Sequence, residues 1–176
     1  LVPITGSPES PQLDGDGPAI EYAVKMKRFP QQSLLGQVLE RGELSGEHID
    51  RLVEQIADFH GRIEVDADPG GFGTPEAIRR PMQANFDGLL GRTDDQQFAR
   101  RLAALRDWSQ REFDRRRPVF AQRKAAGSVR ECHGDMHLGN IILWNDALLI
   151  FDAIEFNENL RWIDVLSETA FLAMDL

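Results

Sequence analysis

The sequence predicts an α+β fold: a short strand-forming start, a long helical middle, and a late strand hairpin followed by a last helix. Three observations carry this prediction. Residues 19–26 alternate between apolar and polar, the period of a half-buried strand. From residue 31 to about Pro118 apolar residues recur at helical spacing. Residues 140–144 and 147–151 are apolar runs separated by Asn145-Asp146, a pair suited to a two-residue hairpin turn. A length of 176 residues allows one domain with its own core, or a piece of a larger one.

In chain order, residues 1–5 read as a short strand. Residues 6–18 read as a loop because their Gly and Pro oppose regular structure. The strand at 19–26 hairpins with the first, and Ile20, Tyr22, Val24 and Met26 form its inward side. After Phe29-Pro30, Leu34, Leu35, Val38 and Leu39 mark a helix. Ser45 caps a second, whose stripe is Ile49, Leu52, Val53, Ile56 and Phe59, with His60 as a packed residue at its end. Residues 66–73 are a loop, and Thr74-Pro75-Glu76 supplies a cap, a first-turn proline and an acidic first turn. A long helix from about Asp94 turns Phe98, Leu102, Leu105 and Trp108 inward and breaks near Pro118. Arg111, Arg115, Arg116, Arg117, Arg123 and Lys124 crowd its end, either as a solvated face or as a patch for an anion. Helical spacing returns after Asn159.

Composition narrows the function classes. Twenty Lys plus Arg against 29 Asp plus Glu give a net charge of -9, which repels a phosphate backbone, so no nucleic-acid partner is expected. The single cysteine, Cys132, rules out an internal disulfide and a multi-cysteine zinc site, and suits a reducing cytoplasm. No apolar run approaches the roughly 20 residues of a membrane span, and no signal-peptide pattern opens the chain. Cytoplasmic localisation without a membrane partner is the expectation. The first residue is Leu1, and the last residues fall in an apolar helical pattern, so both ends are expected to be cut.

The chemistry concentrates between Cys132 and Phe156. If Asn145 and Asp146 form the turn, Trp144 pairs with Ala147 and Asn140 with Phe151, which puts Asp152 diagonal to Asn140 at the hairpin's open end. Asp135 precedes Asn140 by five residues on a loop that Gly134 and Gly139 leave free to turn. Oxygen ligation by Asn140 and Asp152 suits Mg²⁺. Asp135, just outside that shell, is placed to take a proton from an attacking hydroxyl. That division of labour belongs to kinase-type phosphoryl transfer, with its base, an Asn five residues on and an Asp beyond.

On these residues the sequence resembles a known family. His133-Gly134-Asp135 with Asn140, followed by Ile150-Phe151-Asp152, is similar to the catalytic loop and metal-binding Asp of the aminoglycoside phosphotransferase family, within the protein-kinase-like superfamily. Residues 22–30 resemble its strand and hinge, 52–60 the helix before its acceptor-binding insertion, and 161–164 the segment whose Asp steadies the catalytic loop. More narrowly, residues 131–144 with 151–165 resemble a branch often fused to a P-loop ATPase or kinase domain. No Walker sequence occurs here, so such a partner domain would lie elsewhere in the parent protein.

The resemblance implies the end of a small lobe over residues 1–30 and a helical C-terminal lobe over 31–176. It also implies ATP as co-substrate, Mg²⁺ as metal, and a small-molecule hydroxyl as acceptor. Asp135 would be the catalytic residue, Asn140 and Asp152 the metal ligands, and His133 and Asp164 supports of the loop. Backbone groups of Lys27, Arg28 and Phe29 would meet the adenine edge, and Glu155 would touch the acceptor or a second metal. Lys25 is not the phosphate-binding lysine, because only helical spacing follows it. That lysine is expected upstream of Leu1, and the chain alone is expected to be inactive. Two rival readings stand beside this one: a non-catalytic kinase-like module that binds a nucleotide or partner, and a metal-dependent hydrolase built on His133, Asp135 and His137.

Overall fold

The computed structural model describes residues 1–176, which divide into two compact units, Leu1–Gln31 and Gln32–Leu176. The first unit is a three-stranded antiparallel sheet of β1 (Val2–Ser7), β2 (Ser10–Leu13) and β3 (Glu21–Ala23), in the order β2-β1-β3. β1 pairs with β2 from Ile4↔Leu13 to Ser7↔Ser10, so part of the expected loop is a strand. Pro11 is tolerated there because β2 lies at the sheet edge, where a missing N–H removes no ladder bond. The strand expected over 19–26 is shorter, and its apolar side is exposed: Ile20, Tyr22, Val24 and Met26 range from 46% to 72% accessible. Alternation marks a face that can be covered, and this unit supplies no second layer to cover it.

The second unit carries the core. α1 (Leu35–Glu40) and α2 (Gly46–Arg62) pack Leu35, Val38, Leu52 and Ile56 against Met136, Leu138, Ile141, Leu148 and Leu172. Each such side chain contributes about 1.5–3 kcal/mol by leaving water. α2 begins as expected. The Ser45 hydroxyl accepts from the His48 N–H at 3.3 Å, and the His48 ring nitrogen accepts from the Ser45 N–H at 3.1 Å. Val53, expected in the stripe, is 59% exposed, because a position one residue beyond Leu52 lies about 100° around the helix.

α3 (Pro75–Leu90) and α4 (Gln96–Ala125) form a helical pair. The inward side of α4 is Leu102 and Phe113, with the Phe113 and Phe120 rings 5.5 Å apart. Phe98, Leu105 and Trp108 are exposed, contrary to the expected stripe. α4 also runs unbroken through Pro118. Its last turn is anchored on both sides, which offsets the missing hydrogen bond. The Arg123 guanidinium donates twice to the Asp164 carboxylate at 2.6 and 2.7 Å, and Lys124 Nζ donates to Asp66 Oδ2 at 2.7 Å and to the Phe72 carbonyl at 2.6 Å. Arg115 and Arg116 pair with Glu112, and Arg117 with Glu76. All the basic residues of this end except Arg111 are therefore held in ion pairs, and they form no common anion patch.

Beyond α4 the chain forms β4 (Val129–Glu131), β5 (Ile141–Trp144), β6 (Ala147–Ile150), α5 (Glu158–Arg161), β7 (Trp162–Asp164) and α6 (Val165–Asp175). Residues 162–164, expected to be helical, pair antiparallel with β4 from Val129↔Asp164 to Glu131↔Trp162. β5 and β6 pair in the expected register, Ile141↔Ile150 to Trp144↔Ala147. Asn145 and Asp146 sit at φ 51° and 62°, the left-handed pair a type I′ turn needs. No helix is long and apolar enough to cross a membrane.

Candidate active site

The loop from β4 to β5 carries His133, Asp135, His137 and Asn140, and its shape is fixed by hydrogen bonds that also fix proton positions. His133 is buried; its Nδ1 accepts from the Asp135 N–H at 3.3 Å, and its Nε2 lies 2.8 Å from the Phe151 carbonyl. A carbonyl only accepts, so Nε2 carries the proton. The His133 carbonyl in turn accepts from the Ile154 N–H at 2.9 Å, which ties the loop to the chain beyond the hairpin. Both ring nitrogens of His133 are thus engaged within the protein, and the His133, Asp135, His137 transition-metal site has lost its first ligand.

Gly134 turns the loop at φ 86°, where an added Cβ would lie 2.8 Å from the Leu160 carbonyl oxygen. Its N–H donates to Glu168 Oε1 at 2.7 Å, and Glu168 Oε2 meets His60 Nε2 at 2.7 Å. Glu168 is 2% exposed. The expectation that Asp164 would receive the loop is therefore corrected. Its carboxylate is occupied by Arg123 and by the Leu166 N–H at the start of α6, and Glu168, one helical turn on, takes the loop N–H instead. No motif in the sequence marks Glu168 or His60 for this role. The signal in the sequence was a lone carboxylate inside the apolar run of α6, and a histidine ending the stripe of α2.

Asp135 stands in the next position with its side chain 43% exposed. The Asn140 amide donates from Nδ2 to the Asp135 carbonyl at 3.0 Å and to Asp135 Oδ2 at 3.2 Å. Two acceptors fix the amide's orientation, so Oδ1 points elsewhere and has no protein partner. His137 accepts at Nδ1 from the Gly139 N–H at 3.0 Å, which leaves the proton on Nε2, 3.6 Å from Asp135 Oδ2. Phe171, Met174 and Asp175 join Asp135 and His137 around a cavity of about 380 Å³.

The hairpin's open end is closed by the Phe151 N–H donating to the Asn140 carbonyl at 3.0 Å. Asp152 follows at once, exposed and at φ 65°, a left-handed conformation that Asp tolerates better than most residues. The geometry thus brings Asp135, Asn140 and the Asp152 segment together. The donor set fits Mg²⁺: the free Asn140 Oδ1 and an exposed Asp152 carboxylate are hard oxygens with no competing cation. Glu155 is exposed nearby in sequence. Lys27, Arg28 and Phe29 lie in the irregular stretch after β3, and Lys25 pairs with Asp14 at 3.2 Å.

Behind the loop, His60, Cys132 and Glu168 hold a nitrogen, a sulfur and an oxygen within 4.8 Å of one another. These groups already satisfy each other and the backbone, with Cys132 Sγ 3.5 Å from the Ile163 carbonyl. They form a closed network with no unmet ligand atom. Burial, reinforced by the Glu168 carboxylate, pushes the Cys132 thiol up to about 12.

Comparison with known proteins bears on what this geometry is for. The sequence profile of the phosphotransferase enzyme family matches residues 20–152. Uncharacterized proteins of Mycobacterium bovis and Mycobacterium tuberculosis are 29% identical over 167 residues, which is 93% of this chain and 33% of theirs. The chain therefore spans about a third of the length of the curated relatives it matches. No solved structure matches it.

Proposed function

Because the chain belongs to the phosphotransferase enzyme family, we propose that it carries the base and metal ligands of a small-molecule kinase with a protein-kinase-like fold. The reaction would move the γ-phosphoryl group of ATP to an alcohol. The observation that carries this reading is the Asp135–Asn140 contact set beside the hairpin end that delivers Asp152. Asn140 holds one oxygen of the Asp135 carboxylate, so the other faces outward to orient and deprotonate an acceptor hydroxyl. Mg²⁺ held by Asn140 Oδ1 and Asp152 would neutralise charge on the β- and γ-phosphates. No side chain here is placed as a covalent nucleophile, so the work of the residues is alignment.

The acceptor alcohol, the adenine contacts of Lys27, Arg28 and Phe29, a role for Glu155, and a P-loop partner domain in the parent belong to the same proposal. The test is ADP release from MgATP by the full-length protein over a panel of small alcohols. Asp135→Asn should lower turnover by about 10²–10⁴-fold, and Asp152→Ala should abolish Mg²⁺-dependent nucleotide binding. Unchanged turnover in Asp135→Asn would overturn the assignment.

A further inference from the structure

A cavity of about 530 Å³ lies between α3 and the α5–β7 segment, and none of its lining residues is among those around Asp135 described above. Its apolar surface comes from Ile78, Leu160 and the Phe72–Trp162 pair, whose rings stack at 11° with centroids 5.7 Å apart. Leu160 is 43% exposed, so this surface is open to a ligand. Two charged residues line the cavity. Asp164 is matched by the two hydrogen bonds from Arg123. Arg80 has no partner anywhere in the protein, although most arginines on α4 are paired. The net local charge is therefore positive, against a chain charge of -9. The cavity also shares a wall with the catalytic loop, because the Leu160 carbonyl that borders it packs directly on Gly134, the residue before Asp135.

We infer that this cavity binds the acceptor alcohol and selects an organic anion with an apolar or aromatic body, rather than a polycation. The aromatic pair receives the body, Arg80 receives a carboxylate or phosphate group, and the amide of Asn157 at the rim supplies a neutral polar contact. That the ligand is the acceptor rests on the phosphotransferase reading. That an anion binds beside Arg80 does not.

The test separates the two. Isothermal titration of the full-length protein uses three probes that share a ring and a benzylic alcohol: 4-(hydroxymethyl)benzoate, the corresponding neutral benzamide, and 4-(aminomethyl)benzyl alcohol. The carboxylate should bind about tenfold more tightly than the amide, with the ammonium weakest. Arg80→Ala should remove the carboxylate's advantage and leave the amide's affinity in place. Arg80→Lys should keep the order. Arg80 is exposed, so neither variant threatens folding. A tightest-binding ammonium probe, an order unchanged in Arg80→Ala, or no saturable binding of any probe would overturn the inference. Binding in the expected order with no ADP release from MgATP would remove the acceptor role from this cavity and leave the anion site standing.

Discussion

Glu168 is the residue on which the position of Asp135 most depends, and two substitutions there should differ sharply. Its side chain is 1% exposed, and its two oxygens take Gly134 N–H and His60 Nε2, each at 2.7 Å. Glu168→Ala deletes both acceptors. Hydrogen bonds to a charged group contribute about 1.5–3 kcal/mol each, so the loss should be about 3–6 kcal/mol before any relaxation around the void. Glu168→Gln can keep both bonds. Its amide oxygen takes the Gly134 N–H, and its NH₂ donates to His60 Nε2 once the imidazole proton has moved to Nδ1. Only the charge assistance is lost, at a cost of about 1–2 kcal/mol. With a urea slope of about 2 kcal/mol/M, the Ala midpoint should fall about 0.5–2.5 M below the Gln midpoint. Nitrogen chemical shifts of His60 should report the Nδ1–H tautomer in Glu168→Gln alone. Coincident midpoints for the two variants, or an unchanged His60 tautomer, would refute the reasoning.

Three further outcomes follow from the same contacts. Lys124 and Asp66 form a buried pair with side chains 7% and 9% exposed, so Lys124→Met should cost about 3–5 kcal/mol by stranding Asp66. Burial raises the Asp66 carboxyl, but the Lys124 ammonium and backbone N–H groups outweigh it and hold the group below its ordinary value. The stabilisation is therefore present above the unfolded carboxylate value of about 4 and lost as pH falls through the depressed folded value. Wild type should lose stability below about pH 4, and Asp66→Asn, measured by denaturation across pH, should lack that step. Cys132, with its thiol pushed up to about 12 by burial, should react with a disulfide reagent at pH 8 only after denaturation; equal rates in folded and unfolded protein would contradict this. Gly134→Ala meets both a positive φ of 86° and the Leu160 carbonyl at 2.8 Å, whereas Gly42→Ala, at φ 70°, meets open space. Thermal unfolding should show about 1–2 kcal/mol for Gly42→Ala, a larger loss for Gly134→Ala, and loss of phosphoryl transfer in the latter only.

Legibility in the sequence followed the range of the forces involved. The Ser45 and Thr74 caps, the Asn145-Asp146 turn and the register of β5 with β6 are decided within a few residues, and each stands where local chemistry put it. The Asp135 to Asn140 spacing was readable for the same reason. β4 and β7 were not, since a three-residue strand exists only through a partner more than thirty positions away. Continuity through Pro118 was hidden likewise, because its compensation comes from Asp66, Phe72 and Asp164. Leu105 and Trp108 suggested an inward face by period alone, but period gives the faces of a helix and leaves open which one is covered.

The type I′ turn at Asn145-Asp146 acts as a gauge for a distance it never touches. It fixes the register that ends with the Phe151 N–H on the Asn140 carbonyl, and thereby fixes where the backbone releases Asp152. A strand has a period of two, so one residue gained or lost at the turn would send Asp152 to the opposite face of the hairpin and turn Leu148 of β6 out of its packing against α1 and α2. The spacing of the two oxygen ligands is thus written into a solvent-exposed turn at the far end of the hairpin. Length variation that most surface loops absorb would there act directly on metal affinity.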